Sequence, residues 1–171
     1  SITSKNFEND VRNNLAASLH RLGTVYLQAD SSQEAIDALK RGHAVLTDAG
    51  IKSDIETSIV VALGDAFLVQ KDFESAKKYL DNALQLAEQR RQVWDVSGAS
   101  SRIGAVFLQT GRPSEALSYY KKAIDIIEST RAQLGSEDFR AFHSDRFGRT
   151  YGGIIRGYLE TNNAEDAFNY N

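Results

Sequence analysis

The sequence predicts an all-α fold built from repeated antiparallel helix pairs. Three observations carry this. Pro113 is the one proline in 171 residues. Apolar residues recur at i, i+3 and i+4 nearly throughout, the spacing of one helix face. One pattern also returns along the chain, in "LGTVYLQADSSQEAIDAL" (22–39), "LGDAFLVQKDFESAKKYL" (63–80) and "IGAVFLQTGRPSEALSYY" (103–120). No run alternates well enough to propose a strand.

Each copy carries an aliphatic-Gly pair, an aromatic three residues after the Gly, an alanine nine further on and a large residue four after that. In copy one these are Leu22, Gly23, Tyr26, Ala35 and Leu39. Copy two has Leu63, Gly64, Phe67, Ala76 and Leu80, and copy three has Ile103, Gly104, Phe107, Ala116 and Tyr120. A small residue follows in each: Gly42, Ala83 and Ala123. Gly and Ala suit places where two helices touch closely, and the aromatic fills the gap to the next helix. A weaker fourth copy, "IIRGYLETNNAEDAF" (154–168), keeps Tyr158 and Ala167 but has Ile155 in the glycine place.

The turn inside each pair is marked by a helix start. Ser31, Asp72 and Asn163 are side-chain N-caps by type, and Ser31 with Glu34 has capping-box spacing. Copy three has Arg112 in that place, a poor cap. There Gly111 ends the first helix and Pro113 opens the second, where a missing N–H costs nothing. The proline is therefore read as a structural start signal. Between copies three and four, a helix end near Gly135 and a Ser136 cap predict a long helix from about residue 137.

The repeated places resemble the tetratricopeptide repeat, W-x2-L-G-x2-Y…A-x3-F…P, over roughly residues 16–171. The resemblance implies a right-handed solenoid with three full repeats (about 16–50, 57–92 and 97–133) and a truncated fourth (148–171), forming one domain over 1–171. Two features depart from the family pattern. The Trp place holds Leu19, Val60, Ser100 and Tyr151, and the Pro place holds Thr47, Glu88 and Glu128. The repeat spacing is also long, at 41, 40 and 51 residues between Gly23, Gly64, Gly104 and Ile155.

Composition narrows the function classes. With 42% apolar and 25% charged residues the chain is globular. A net charge of −3, from 20 basic and 23 acidic residues, argues against a general nucleic-acid binder. The absence of cysteine removes disulfides, thiolate nucleophiles and cysteine zinc sites. No apolar run approaches a membrane span and "SITSKNFEND" has no signal-peptide core, so a cytoplasmic location is expected. The chain lacks methionine and stops at "AFNYN", which reads as a piece of a longer protein.

No phosphate-binding, dinucleotide or zinc-protease motif occurs. His20, His43 and His143 are far apart. His143-Ser144-Asp145 spells triad letters, yet neighbours on one helix point about 100° apart and form no relay. No enzyme activity, metal or cofactor is expected.

Function is expected on the concave face lined by the first, or A, helix of each pair. The family's groove places give Ala17, His20, Arg21, Thr24 and Gln28 in repeat one, and Ser58, Val61, Ala62, Asp65 and Val69 in repeat two. Repeat three gives Gly98, Ser101, Arg102, Ala105 and Gln109, and repeat four gives Arg149, Gly152, Gly153, Arg156 and Glu160. From these, His20, Arg21, Thr24, Asp65, Arg102, Gln109, Arg149 and Arg156 are the expected partner-binding residues. Arg146, Arg149, Gly153 and Arg156 share one helix face. Arginine suits bidentate capture of carboxylates, and the small residues between would leave room for a ligand backbone. The expected partner is a peptide or protein segment, an acidic one being a candidate, with no nucleic acid and no membrane. The tetratricopeptide proteins that clamp acidic chaperone tails need Lys and Asn at places that here read His20, Thr24, Ala62 and Gly98. Only Arg102 matches, which speaks against that activity.

Residues 116–170 are also similar to the helical segment before bacterial CHAT protease domains, carrying "IE-x2-R-x2-L" and then "R-x-F". That resemblance implies an alternative role as the regulatory module of a larger protease, in contact with a missing downstream domain. A peptide-sensing regulator is the remaining alternative.

Overall fold

The computed structural model describes the backbone of residues 2–134 and 136–170, with side chains for 4–133 and 147–170. Among the described residues there are eight helices and no strand: α1 (Ile2–Gln28), α2 (Ser32–Thr47), α3 (Asp54–Val69), α4 (Phe73–Gln89), α5 (Val93–Gln109), α6 (Pro113–Leu134), α7 (Ser136–Glu160) and α8 (Ala164–Phe168). The A helices are α1, α3, α5 and α7. α1 begins well before residue 16, where the repeat pattern starts. α7 opens at Ser136, the residue read as its cap, whose side chain lies outside those described, as do Arg146 and His143.

The turn inside each pair is the same Schellman motif four times. Asp30, Lys71, Gly111 and Asn162 take positive φ, between 56° and 71°. The next residue's N–H then reaches back to the carbonyl of the repeat aromatic: Ser31 to Tyr26, Asp72 to Phe67, Arg112 to Phe107 and Asn163 to Tyr158, at 2.8–3.0 Å. Among these four turns, only the third uses a glycine, Gly111, at the positive-φ place.

The second helix of each pair starts as expected in three cases. The Asp72 carboxylate accepts the Ser75 N–H at 3.0 Å; hydrogen bonding to the Ser75 side chain first, and to that N–H second, draws its pKa below the usual carboxylate range. Asn163 Oδ1 accepts the Asp166 N–H at 3.3 Å. Pro113 is the first residue of α6, and Arg112 pairs with Glu115 across that turn at 2.7 Å. Ser31 is the exception. It makes no side-chain cap; its hydroxyl turns to the Ala29 carbonyl at 3.4 Å, so the predicted capping box with Glu34 does not form.

The chain divides into two compact units, Ser1–Leu86 and Ala87–Asn171, with the boundary inside α4. In the first, α1, α2 and α3 close over Ile36, Leu39, Leu46, Ile59 and Leu63. The repeat glycines seat the opposing helix. A Cβ on Gly23 would fall 2.5 Å from Leu39 Cγ, and one on Gly64 2.6 Å from Leu80 Cγ. Only a missing side chain permits that approach. Phe67 stacks on Tyr79 with centroids 5.3 Å apart. Ala35 and Ala76 are fully buried, matching the repeat reading.

In the second unit Tyr120 of α6 lodges between Gly104 of α5 and Gly153 of α7, whose added Cβ atoms would lie 2.9 and 2.3 Å from its ring. Ser97 donates to the Ala123 carbonyl at 3.1 Å, tying α5 to α6. Ser101 and Thr150 hydroxyls meet at 2.9 Å, tying α5 to α7.

Candidate protein-interaction site

Each A helix presents three stripes that differ by one residue of offset, hence by about 100° around the axis. On α1, Ala16, Leu19, Gly23 and Tyr26 face the core. Ala17, His20, Thr24 and Gln28 form a second stripe whose members are half-buried or exposed. The equivalents on α3 are Ser58, Val61, Asp65 and Val69; on α5, Gly98, Ser101, Ala105 and Gln109. None of these residues is buried, and most are small or polar. Ala62, in the family's sixth place, is the departure: it is only 7% exposed and belongs to the core.

The predicted site residues fall into the two units. In the first, His20 is half-buried and Arg21 exposed. Burial, and secondarily the Arg21 guanidinium, hold the His20 imidazole below its ordinary value. Thr24 Oγ1 donates to the His20 carbonyl at 3.0 Å. Asp65 sits half-buried one turn before Val69 on α3.

In the second unit Gln109 and Arg149 are exposed. Arg102 folds along its own helix, donating to the Gly98 carbonyl at 3.1 Å. Arg156 pairs with Glu160 at 2.7 Å, one turn on, with two thirds of its side chain still exposed. Arg149 has no ion pair among the described residues. Gly153 does not leave room for a ligand, because Tyr120 already fills the space over it; Gly152 is open. Burial pushes the Tyr120 hydroxyl up to about 12, against the opposing pull of Arg156, so the phenol is neutral at ordinary pH. Tyr151, in the Trp place, donates to Glu128, and burial with that bond raises its pKa further.

No group of three or more metal-ligating side chains occurs among the described residues, and no described helix is long and apolar enough to cross a membrane. The sequence reading missed one feature: the third α1 stripe, through Leu15, Leu22 and Val25, is apolar and exposed. The places of Leu22 and Val25 are buried in the other A helices, at Leu63 and Ala66 of α3 and Ile103 and Val106 of α5.

Antiparallel helix pairs joined by identical turns, with a small and polar stripe on each A helix, define a helical-repeat protein, a class commonly used as a protein–protein interaction module. Residues 56–129 match the model of the tetratricopeptide repeat family. The fold agrees with solved TPR-like solenoids. A putative kinesin light chain with TPR-like repeats from Podosopora anserina aligns at TM-score 0.74 and 16% identity, covering 93% of this chain and 72% of that one. BtubC (BKLC) from P. vanneervenii aligns at 0.77 and 16%, covering 93% and 61%. A MamA protein aligns at 0.64 and 23%, covering 92% and 69%. These likenesses concern the fold. No curated protein matches the sequence.

Proposed function

We propose that this chain is a scaffold, with no chemistry of its own, that binds a segment of another protein along the small and polar stripe of its A helices. The observation that carries this is the stripe itself. In the first unit Ser58 is small and Gln28 and Asp65 carry hydrogen-bonding groups on the same stripe; in the second, Gly98 and Ala105 are small and Gln109 carries one. An extended backbone can approach such a surface closely and be held by side-chain polar groups. Arg149 and Arg156 favour carboxylates on the segment. Arg156 would exchange its exposed Glu160 partner for one, a swap of low cost for a surface pair.

Selection of displayed random peptides on the full chain tests the reading. Acidic sequences should be enriched. Their affinity should fall about tenfold, roughly 1.4 kcal/mol, in an Arg149→Glu, Arg156→Glu variant, with a flatter salt dependence. Unchanged affinity and salt response would remove the arginines from the site. Failure to enrich any peptide would overturn the scaffold reading as a whole.

A further inference from the structure

One face of α7 carries Arg149, Gly152 and Arg156 outward. Thr150, Ile154 and Tyr158, at 4, 0 and 5% exposure, hold the other side in the core, and Tyr120 lies against Gly153. The side of α7 that faces out is therefore fixed. Arg149 is exposed, and Arg156 keeps 65% of its side chain accessible beside its partner Glu160. Between the two arginines Gly152 leaves a notch. A Cβ there would meet nothing within 4 Å, and the same holds at Gly148, just before Arg149.

Stacking of A helices leaves this face open. On α5 the corresponding places, Gly98, Ser101, Ala105 and Gln109, are half-buried or exposed, although α7 packs against α5 through the Ser101–Thr150 pair. A neighbouring A helix does not take up the surface on which Arg149 and Arg156 stand.

The separation of the arginines selects the form of an extended segment. Seven residues are two helical turns, so the two Cα atoms stand about 10.5 Å apart along one line of α7. A β-like segment repeats one face every two residues, at about 6.7 Å and then about 13.5 Å, and misses that distance on both sides. A polyproline II segment has three residues per turn and rises about 3.1 Å per residue, so residues three apart share a side at about 9.3 Å. Each guanidinium can take a carboxylate through two parallel hydrogen bonds.

We propose that α7 recognises a polyproline II segment of a partner protein through two side-chain carboxylates three residues apart, one for each arginine, with the backbone between them lying over Gly152. This rests on the reading of the A-helix stripe as a binding face and adds the spacing and conformation of what it binds.

The probes are proline-rich octapeptides, capped at both ends, with two glutamates set two, three or four residues apart. Titrated into the full chain, the three-residue spacing should bind about fivefold more tightly than either other, because only there do both carboxylates point to one side of the segment. Gly152→Leu should abolish that preference by filling the notch. Its thermal midpoint should not fall, since the added side chain meets no neighbour and leucine is the better helix former. Equal binding at all three spacings, or a preference that survives Gly152→Leu, would overturn the spacing while leaving the scaffold reading intact. Binding that requires a free C-terminus would overturn it too, by making the chain-terminal carboxylate the ligand. If none of the peptides binds, the proposal fails; the scaffold reading falls with it only where the displayed-peptide selection also enriches nothing.

Discussion

Asp30, Lys71 and Asn162 hold a backbone conformation that side chains disfavour, at the place where copy three uses Gly111. The Schellman bonds and the packing behind them keep them there. Lys71→Gly should therefore raise the urea midpoint, by about 1 kcal/mol of stability. At Ser100 the hydroxyl is fully buried without a hydrogen-bond partner among the described residues. Ser100→Ala removes an uncompensated polar group, so equal or slightly higher stability is expected, by up to about 1 kcal/mol; a large loss would mean the hydroxyl has a partner. His20 has a folded-state pKa below its ordinary value of 6.5. Its unfolded form thus takes a proton first as pH falls. The contribution of the neutral imidazole is complete above 6.5 and is lost below it, through the folded value. Urea midpoints at neutral and mildly acidic pH should converge when His20→Gln replaces the native chain. These residue-level features were only partly legible beforehand. Cap residue types gave the correct starts at Asp72, Asn163 and Pro113. Ser31 was misjudged because a hydroxyl can serve either neighbouring carbonyls or the helix start, and sequence does not say which.

Between elements, the packing is organised by glycine seats. Gly23, Gly64 and Gly104 each receive the large residue of the partner helix, as the repeat alignment foretold. The fourth copy breaks this rule at Ile155, and Gly153 instead accepts Tyr120 from the preceding pair. Gly153→Ala should destabilise the protein by about 1–3 kcal/mol through overpacking, outweighing the helix-propensity gain of about 1 kcal/mol. Tyr120 cannot swing aside, since it is 3% exposed and backed by Gly104. A rise in the thermal midpoint would show that it can. The sequence reading gave Gly153 a role in the groove because it shares a helix face with Arg149 and Arg156. Helix-face geometry alone cannot tell a face open to ligand from one already filled by a neighbour.

Across the whole chain, the repeat turns, buried alanines and glycine seats recur in both compact units. No metal-ligand cluster interrupts them among the described residues, so chelation should leave the thermal midpoint unchanged; a drop would reveal a metal that the side chains do not advertise. By itself the sequence determined the helices, their pairing and the register of the turns, because these follow from contacts three to five residues apart and from glycine and aromatic spacing within one pair. Only the tertiary structure decided which stripe of each helix is covered. It placed Arg156 against Glu160, folded Arg102 onto Gly98, filled the space over Gly153 and left Leu15, Leu22 and Val25 bare. Burial depends on which helix lies opposite, and periodicity within a single helix does not record its neighbour.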